Sequence, residues 1–176
     1  VGEFTGGAVG MKAALMHPDR IASVTIINTP AKIADTVRSI YAIGEADQAA
    51  AIQKYGVAEW CRRTLQYRMD VEAAPPGMVD WVPREMGKVP NHVAVAAFRL
   101  FSTVDLRPDL PNITRPVLLV VGSRCTDARK QHMGEMRDAI PRSRLIEIEG
   151  YDHGLNFLAP DAVVAGVRQF VKDFGT

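Results

Sequence analysis

The sequence predicts an α/β protein with a mostly parallel sheet, flanked by helices and interrupted by a long helical insertion. Three observations predict this fold class. Short apolar runs have the composition of buried strands, helical patterns alternate with those runs, and a long segment between the first two runs carries no strand pattern. Alternating helices and strands imply parallel pairing with right-handed crossovers.

The three predicted strands cover residues 23–28, 116–121 and 144–149. The first two runs are almost continuously apolar and rich in β-branched side chains, which is typical of parallel strands covered on both faces. The third run alternates apolar with polar residues. We therefore expect the third strand to lie nearer an edge of the sheet.

The predicted helices of the sheet domain cover residues 6–16, 128–139 and 160–173. The first is small and apolar, and the second is amphipathic. The third begins at a proline and an aspartate, which are favourable residues for a helix start, and its valines and phenylalanine share one face. Each predicted strand thus follows a helical pattern or precedes one.

Residues 30–112 form the helical insertion, and the sequence predicts that they are a cap domain on a core of residues 1–29 and 113–176. Its predicted helices cover 33–42, 45–54, 57–68, 79–87 and 92–102. An insertion between two strands of one sheet usually covers the carboxyl edge of the sheet, where open α/β sheets bind ligands.

Composition narrows the function classes. The chain has 176 residues, 47% of them apolar and 23% charged, with a formal net charge of +1. With so little net charge, electrostatics gives no reason to expect binding to nucleic acid or to an anionic membrane. No apolar run approaches the roughly 18 residues of a membrane span. No leader pattern stands at the start, and Cys61 and Cys125 form no CxxC pair. We expect a soluble intracellular protein with two buried, reduced thiols and no metal or other cofactor.

Three stretches carry a resemblance to a known family. They are VGEFTGGAVGMKAALMHPDRIASVTIINTP, ITRPVLLVVGSRCTD and IPRSRLIEIEGYDHGLNFLAPDAVVAGVRQFV. Together they resemble the C-terminal two-thirds of the α/β-hydrolase fold. The first is similar to the nucleophile elbow with its helix and next strand, the second to the strand before the acid, and the third to the histidine loop and final helix. The insertion, including YGVAEWCRRTL, is similar in style to caps of lactonases and carbon–carbon hydrolases. The family's N-terminal strands have no counterpart here.

The resemblance places Phe4 at the nucleophile position, although a phenyl ring has no lone pair with which to attack a carbonyl. Thr5 follows, at the position whose backbone N–H would line an oxyanion hole, and Glu3 precedes it and could reach the pocket. Cys125 stands at the acid position, and Asp127 would be the substitute acid if that loop were remodelled.

His153, in the run GYDHG, matches the family's catalytic histidine. Without a nucleophile it could still act as a general base on water or on an acidic C–H group. Glycines at Gly2, Gly6 and Gly7 suit a tight turn with a helix packed close behind it. The other three histidines have no such context and are expected to be packing or surface residues.

The favoured hypothesis is a hydrolase-like protein that has lost hydrolytic activity and acts as a ligand-binding or scaffold component, possibly inside a larger assembly. One alternative is a lyase or isomerase that uses His153, with Asp127 and Glu3, on a small apolar substrate. Another is an ester, lactone or carbon–carbon hydrolase with a replaced nucleophile. Three strands would leave an open apolar edge, so the expected partner is a polypeptide that completes the sheet. That polypeptide is the protein's own N-terminal part or another chain; a small domain that pairs its edge in a homodimer is the remaining option.

Overall fold

The computed structural model describes residues 1–174, and its sheet has four parallel strands. The strands are β1 (Gly2–Glu3), β2 (Val24–Ile27), β3 (Val117–Gly122) and β4 (Ser143–Ile148). They lie side by side in chain order, and every neighbouring pair is parallel. The predicted fold class is confirmed, with the short β1 as an additional strand.

Burial follows the sequence pattern of the strands. All residues of β2 and β3 are buried, as their continuous apolar runs predict. Most of β4 is half-buried, because within residues 1–174 β4 lies at the end of the sheet and pairs only with β3. The alternating pattern thus correctly predicted an edge strand.

The helices around the sheet are α1 (Thr5–Met16), α6 (Asp127–Ala139), α7 (Leu155–Leu158) and α8 (Pro160–Phe174). One apolar face of α8 packs on β3, where Val163 and Phe170 join a buried cluster with Leu118 and Val120. The single turn of α7 was not predicted, because four residues are too few to show a helical period.

The helical insertion consists of α2 (Asp35–Ala42), α3 (Gln48–Thr64), α4 (Met78–Met86) and α5 (Asn91–Thr103). The predicted break between helices at 45–54 and 57–68 is present, since α3 consists of two helical stretches that meet at a kink at Gly56. Gly56 has φ 76° and ψ 159°, which breaks the regular helical bonds, and the Val57 N–H donates instead to Asn91 Oδ1 at 3.3 Å.

The chain divides into two compact units. The sheet unit comprises Val1–Lys32 and the chain from Asp105 onward, and the helical unit comprises Ile33–Val104. Among residues 1–174, none of the helices combines the length and the apolar character needed to cross a membrane.

Two glycines allow α1 to pack against the start of the sheet. A Cβ atom on Gly2 would collide with the backbone of Gly6, and one on Gly7 would lie 2.7 Å from the Cβ of Thr29. Thr29 is fully buried and donates its hydroxyl to Ile27 O at 2.9 Å, so it has little room to move aside. Gly6, in contrast, faces open space. Close packing therefore explains why glycine is required at Gly2 and Gly7, but it does not explain the glycine at Gly6.

We expect Gly7→Ala to lower the free energy of unfolding by about 1–3 kcal/mol, because the added methyl group overpacks the contact with Thr29. Urea unfolding followed by circular dichroism measures the change. Gly6→Ala in the same helix is the matched control and should be neutral or stabilising by up to about 1 kcal/mol, because alanine favours helix. Equal destabilisation by both substitutions would contradict this account.

His132 connects α6 to the segment after β2. Its Nε2 accepts a hydrogen bond from Ala31 N at 3.2 Å, and Ala31 O accepts one from Leu106 N at 2.9 Å. Burial lowers the pKa of His132 and the Arg107 charge lowers it further, whereas Glu135, 3.8 Å from Nδ1, acts in the opposite direction. The folded chain therefore prefers the neutral imidazole, which can accept the Ala31 bond.

Because its pKa is depressed in the folded state, His132 contributes stability above its ordinary pKa, and that contribution is lost as the pH falls. His132→Gln keeps an acceptor for Ala31 N but removes the titration. Between about pH 7.5 and about pH 5.5, the unfolding free energy of the unmodified chain should fall more steeply than that of the variant. Urea unfolding at both pH values measures the two changes. If the unfolding free energies of the two chains fall by the same amount, His132 does not cause the pH dependence.

Candidate functional site

Phe4 occupies a strained turn between β1 and α1. Its φ is 46° and its ψ is −109°, a region that bulky residues rarely adopt. The Phe4 N–H donates to Ile27 O at 3.2 Å, and Phe4 O accepts from Gly7 N at 3.1 Å and Ala8 N at 3.2 Å. These bonds hold the sharp strand-to-helix turn that the sequence predicts, and Phe4 stands at its apex.

The neighbours of Phe4 lie where an elbow places them. Glu3 is the last residue of β1 and Thr5 the first of α1, and both are half-buried. That the Thr5 N–H would line an oxyanion hole stays a prediction.

Asn28 connects the carboxyl end of β2 to the loop after β4. It has a positive φ of 46°, is 7% exposed, and donates its side-chain amide to Asp152 O at 3.4 Å. Its Oδ1 is buried and has no hydrogen-bond partner among the described residues. Sequence reasoning placed Asn28 only at the end of a strand, because nothing in the local pattern indicates its contact with the distant loop.

The loops after β3 and β4 pack closely together. A Cβ atom on Gly122 would lie 2.6 Å from Asp152 O and would also collide with Tyr151 O. The backbone N–H of Arg124 donates to Tyr151 O at 2.9 Å. The predicted acid loop and the predicted histidine loop are thus adjacent at the carboxyl edge of the sheet.

The predicted acid position carries no charge. Cys125 is 5% exposed, and burial raises the pKa of its thiol, so the group stays protonated and neutral. Its Sγ lies 3.7 Å from Thr126 O. Asp127 is exposed in the first turn of α6, where a carboxylate complements the helix dipole.

Both ring nitrogens of His153 have partners. Nδ1 lies 2.7 Å from Asp152 Oδ1, and Nε2 contacts Arg129 Nη1, which is also 3.3 Å from the same carboxylate oxygen. A guanidinium only donates, so this contact favours the tautomer in which Nε2 accepts and Nδ1 carries the proton that faces Asp152. The carboxylate paired with His153 is therefore its sequence neighbour Asp152.

The partners of the His153 ring can be compared with those of a histidine that acts in hydrolysis. In a serine hydrolase the ring nitrogen that faces the nucleophile accepts its proton, while the other nitrogen donates to a carboxylate. Here the Asp152–His153 pair fits the second requirement, but the Arg129 N–H occupies the accepting lone pair of Nε2. Sequence reasoning missed Arg129 and Asp152; adjacency to His153 was the one available signal for Asp152.

The remaining histidines lie elsewhere. His17 and His92 are exposed, and His132 packs against Ala31 as described above. Within residues 1–174, no group of three or more His, Cys, Asp or Glu side chains is arranged to hold a metal ion.

Comparisons with known proteins identify the family and the fold of the chain. The family model described as "Alpha/beta hydrolase family" matches residues 5–166. A search of curated protein sequences finds no match. Among solved structures, an enol-lactonase from Burkholderia xenovorans LB400 is 25% identical with a TM-score of 0.79, over 97% of this chain and 64% of its own.

Two further structures show the same fold. A hydrolase from Pseudomonas aeruginosa PA01 is 24% identical with a TM-score of 0.80, over 97% of this chain and 63% of its own. A thermophilic esterase from Thermogutta terrifontis is 21% identical with a TM-score of 0.79, over 99% of this chain and 64% of its own. The chain thus spans a little less than two thirds of the length of these proteins.

Removal of the Arg129 guanidinium should change the tautomer of His153. In the unmodified chain we expect a proton on Nδ1 and none on Nε2, as read from imidazole nitrogen shifts in long-range ¹⁵N–¹H spectra. Arg129→Met should increase the Nε2-protonated form and speed modification of the ring by diethyl pyrocarbonate. Arg137→Met, on the same helix but paired with Asp138, is the control. Identical His153 spectra in all three chains would contradict the assigned contact.

Proposed function

Because the chain belongs to the alpha/beta hydrolase family, we propose that it is a member that has lost hydrolytic activity and acts as a ligand-binding or scaffold component. The observation that carries the proposal is Phe4 at the strained elbow. The sharp strand-to-helix turn of a nucleophile elbow is present. The Phe4 side chain at its apex cannot form a covalent intermediate.

The acid and base positions support the same proposal. The buried thiol of Cys125 is neutral and cannot stabilise an imidazolium as a carboxylate does. Asp152 does contact His153, but Arg129 contacts the nitrogen that would have to accept a proton. The three side chains form a paired network that joins the histidine loop to α6.

The open edge of the sheet supports a role with a partner. β1 has two residues and pairs only with β2 within the described chain, so its other side can accept a further strand. We propose that a polypeptide completes the sheet there, supplied by the same protein or by another chain. The ligand proposed for such a unit is a small, largely apolar molecule.

One alternative is a nucleophile-independent enzyme in which His153 moves a proton. The close Asp152–His153 pair favours this reading, because a carboxylate orients the ring and stabilises its charged form. Catalysis would require Arg129 to withdraw from Nε2. The Arg129→Met chain is therefore also the chain in which proton exchange at an activated C–H group should be measured.

Assays with esters and lactones test the loss of hydrolysis, since relatives include an enol-lactonase and an esterase. We expect the full 176-residue chain to hydrolyse p-nitrophenyl acetate and an enol lactone no faster than Phe4→Ala does. A fluorophosphonate probe should not label it, as read by intact mass. Turnover that Phe4→Ala abolishes, or a probe adduct on any residue, would overturn the proposal.

Introduction of a nucleophile provides a second arm of the test. Phe4→Ser alone should react slowly with the fluorophosphonate, because Arg129 still occupies Nε2 of His153. Phe4→Ser combined with Arg129→Met should react about tenfold faster or more, since general-base assistance contributes at least that factor. Equal labelling rates would show that Arg129 does not restrain the histidine.

A further inference from the structure

The helical unit contains a cleft that includes none of the residues described at the candidate site. Its volume is about 470 Å³, within the size range of small-molecule sites, and every residue that lines it belongs to Ile33–Val104. The walls come from α2, the start of α3 and the carboxyl half of α5.

One buried donor of the cleft lacks a hydrogen-bond partner among the described residues. The Nε of Arg38 is buried and has no hydrogen-bond partner among residues 1–174. The side-chain amide of Gln48, a residue that is 7% exposed, is a further polar group that lines the cleft. Buried donors are almost always satisfied in folded proteins, so the unpartnered Nε of Arg38 points to a group supplied from outside.

The positive charges of the cleft are available to such a group. Arg99 lines the cleft, is exposed, and forms no ion pair within the described part of the chain. Arg38 Nη1 lies 3.4 Å from Asp35 Oδ1, but that carboxylate is 94% exposed, so the pair is weak.

The two carboxylates that line the cleft are already engaged. Glu45 Oε1 accepts from Lys54 Nζ at 2.6 Å and from the Tyr55 hydroxyl at 3.0 Å, and these bonds lower the pKa of Glu45. Asp47 Oδ1 caps α3 by accepting from Ala50 N at 2.7 Å. They do not neutralise the arginines by direct contact, but their charge disfavours a ligand with more than one negative charge.

One wall of the cleft is apolar and rigid. Phe98 lines it, and its ring packs edge-on against Trp60 with the ring centres 4.8 Å apart. Trp60 is fully buried and donates its indole N–H to Tyr41 O at 2.8 Å, which fixes the aromatic pair. A planar apolar group can pack against this wall.

We propose that this cleft binds a small organic monocarboxylate that carries an apolar or aromatic group. The carboxylate contacts Arg38, Arg99 and the Gln48 amide, because guanidinium donors match the two oxygens of a carboxylate. The apolar group packs on Phe98. The site lies wholly within the helical unit, and its existence does not depend on the loss of hydrolysis at Phe4.

Benzoate, neutral benzamide and inorganic phosphate test the site in the full chain, by calorimetric titration and by backbone amide shifts. Benzoate should bind saturably and shift signals in α2, the start of α3 and residues 98–102. Benzamide should bind about tenfold more weakly or worse, because it lacks the charge that the guanidinium groups recognise. Phosphate should also bind more weakly than benzoate.

Single substitutions locate the binding. Arg38→Met and Arg99→Met should each weaken benzoate binding about tenfold, whereas Arg84→Met, an exposed arginine on α4 outside the cleft, should leave it unchanged. Circular dichroism checks that the variants fold, and the benzoate–benzamide comparison needs no variant. Absence of saturable benzoate binding would overturn the proposal. In that case water satisfies the buried Nε of Arg38. Equal benzamide affinity, tighter phosphate binding or unaltered binding by both arginine variants would overturn it as well.

Discussion

The exclusion of side chains at Gly2 and Gly7 is the constraint on which the sheet unit depends. Because Gly2 meets the backbone of Gly6 and Gly7 meets Thr29, α1 can begin directly beside β2 and continue from the strained turn at Phe4. This packing needs no particular side chain at the apex of the turn, so the fold accommodates the phenyl ring of Phe4.

Parallel pairing brings the chemically relevant segments to one edge of the sheet. The elbow, Asn28, the loop after β3 and the loop with His153 all follow strands whose carboxyl ends point the same way. The backbone therefore assembles a hydrolase framework, while the side chains on it are a phenyl ring, a neutral thiol and an imidazole with both nitrogens engaged. Framework and chemistry are separable because backbone packing sets the first and individual side chains set the second.

Arg129 of the sheet unit and Arg38 of the helical unit differ in how their donors are satisfied. In the sheet unit, Arg129 is held between the carboxylate of Asp152 and the ring of His153. In the helical unit, the buried Nε of Arg38 has no partner within the described chain, its ion pair with Asp35 is exposed, and Glu45 and Asp47 are bound to other groups. The proposed anion site therefore lies in the helical unit. A charged group that already has a close partner would have to lose it before binding a ligand.

The sequence by itself determined the fold class, the buried and edge strands, most helix bounds and the chemical incapacity of Phe4. These properties are local, since they follow from residue periodicity and from the identity of one side chain. Tertiary structure alone decided that Asp152 pairs with His153, that Arg129 reaches Nε2, and that Asn28 contacts the loop after β4. Such features depend on backbone and side-chain dihedrals and on distances between atoms, mostly of residues far apart in the chain. Neither quantity is encoded in the spacing of residue types.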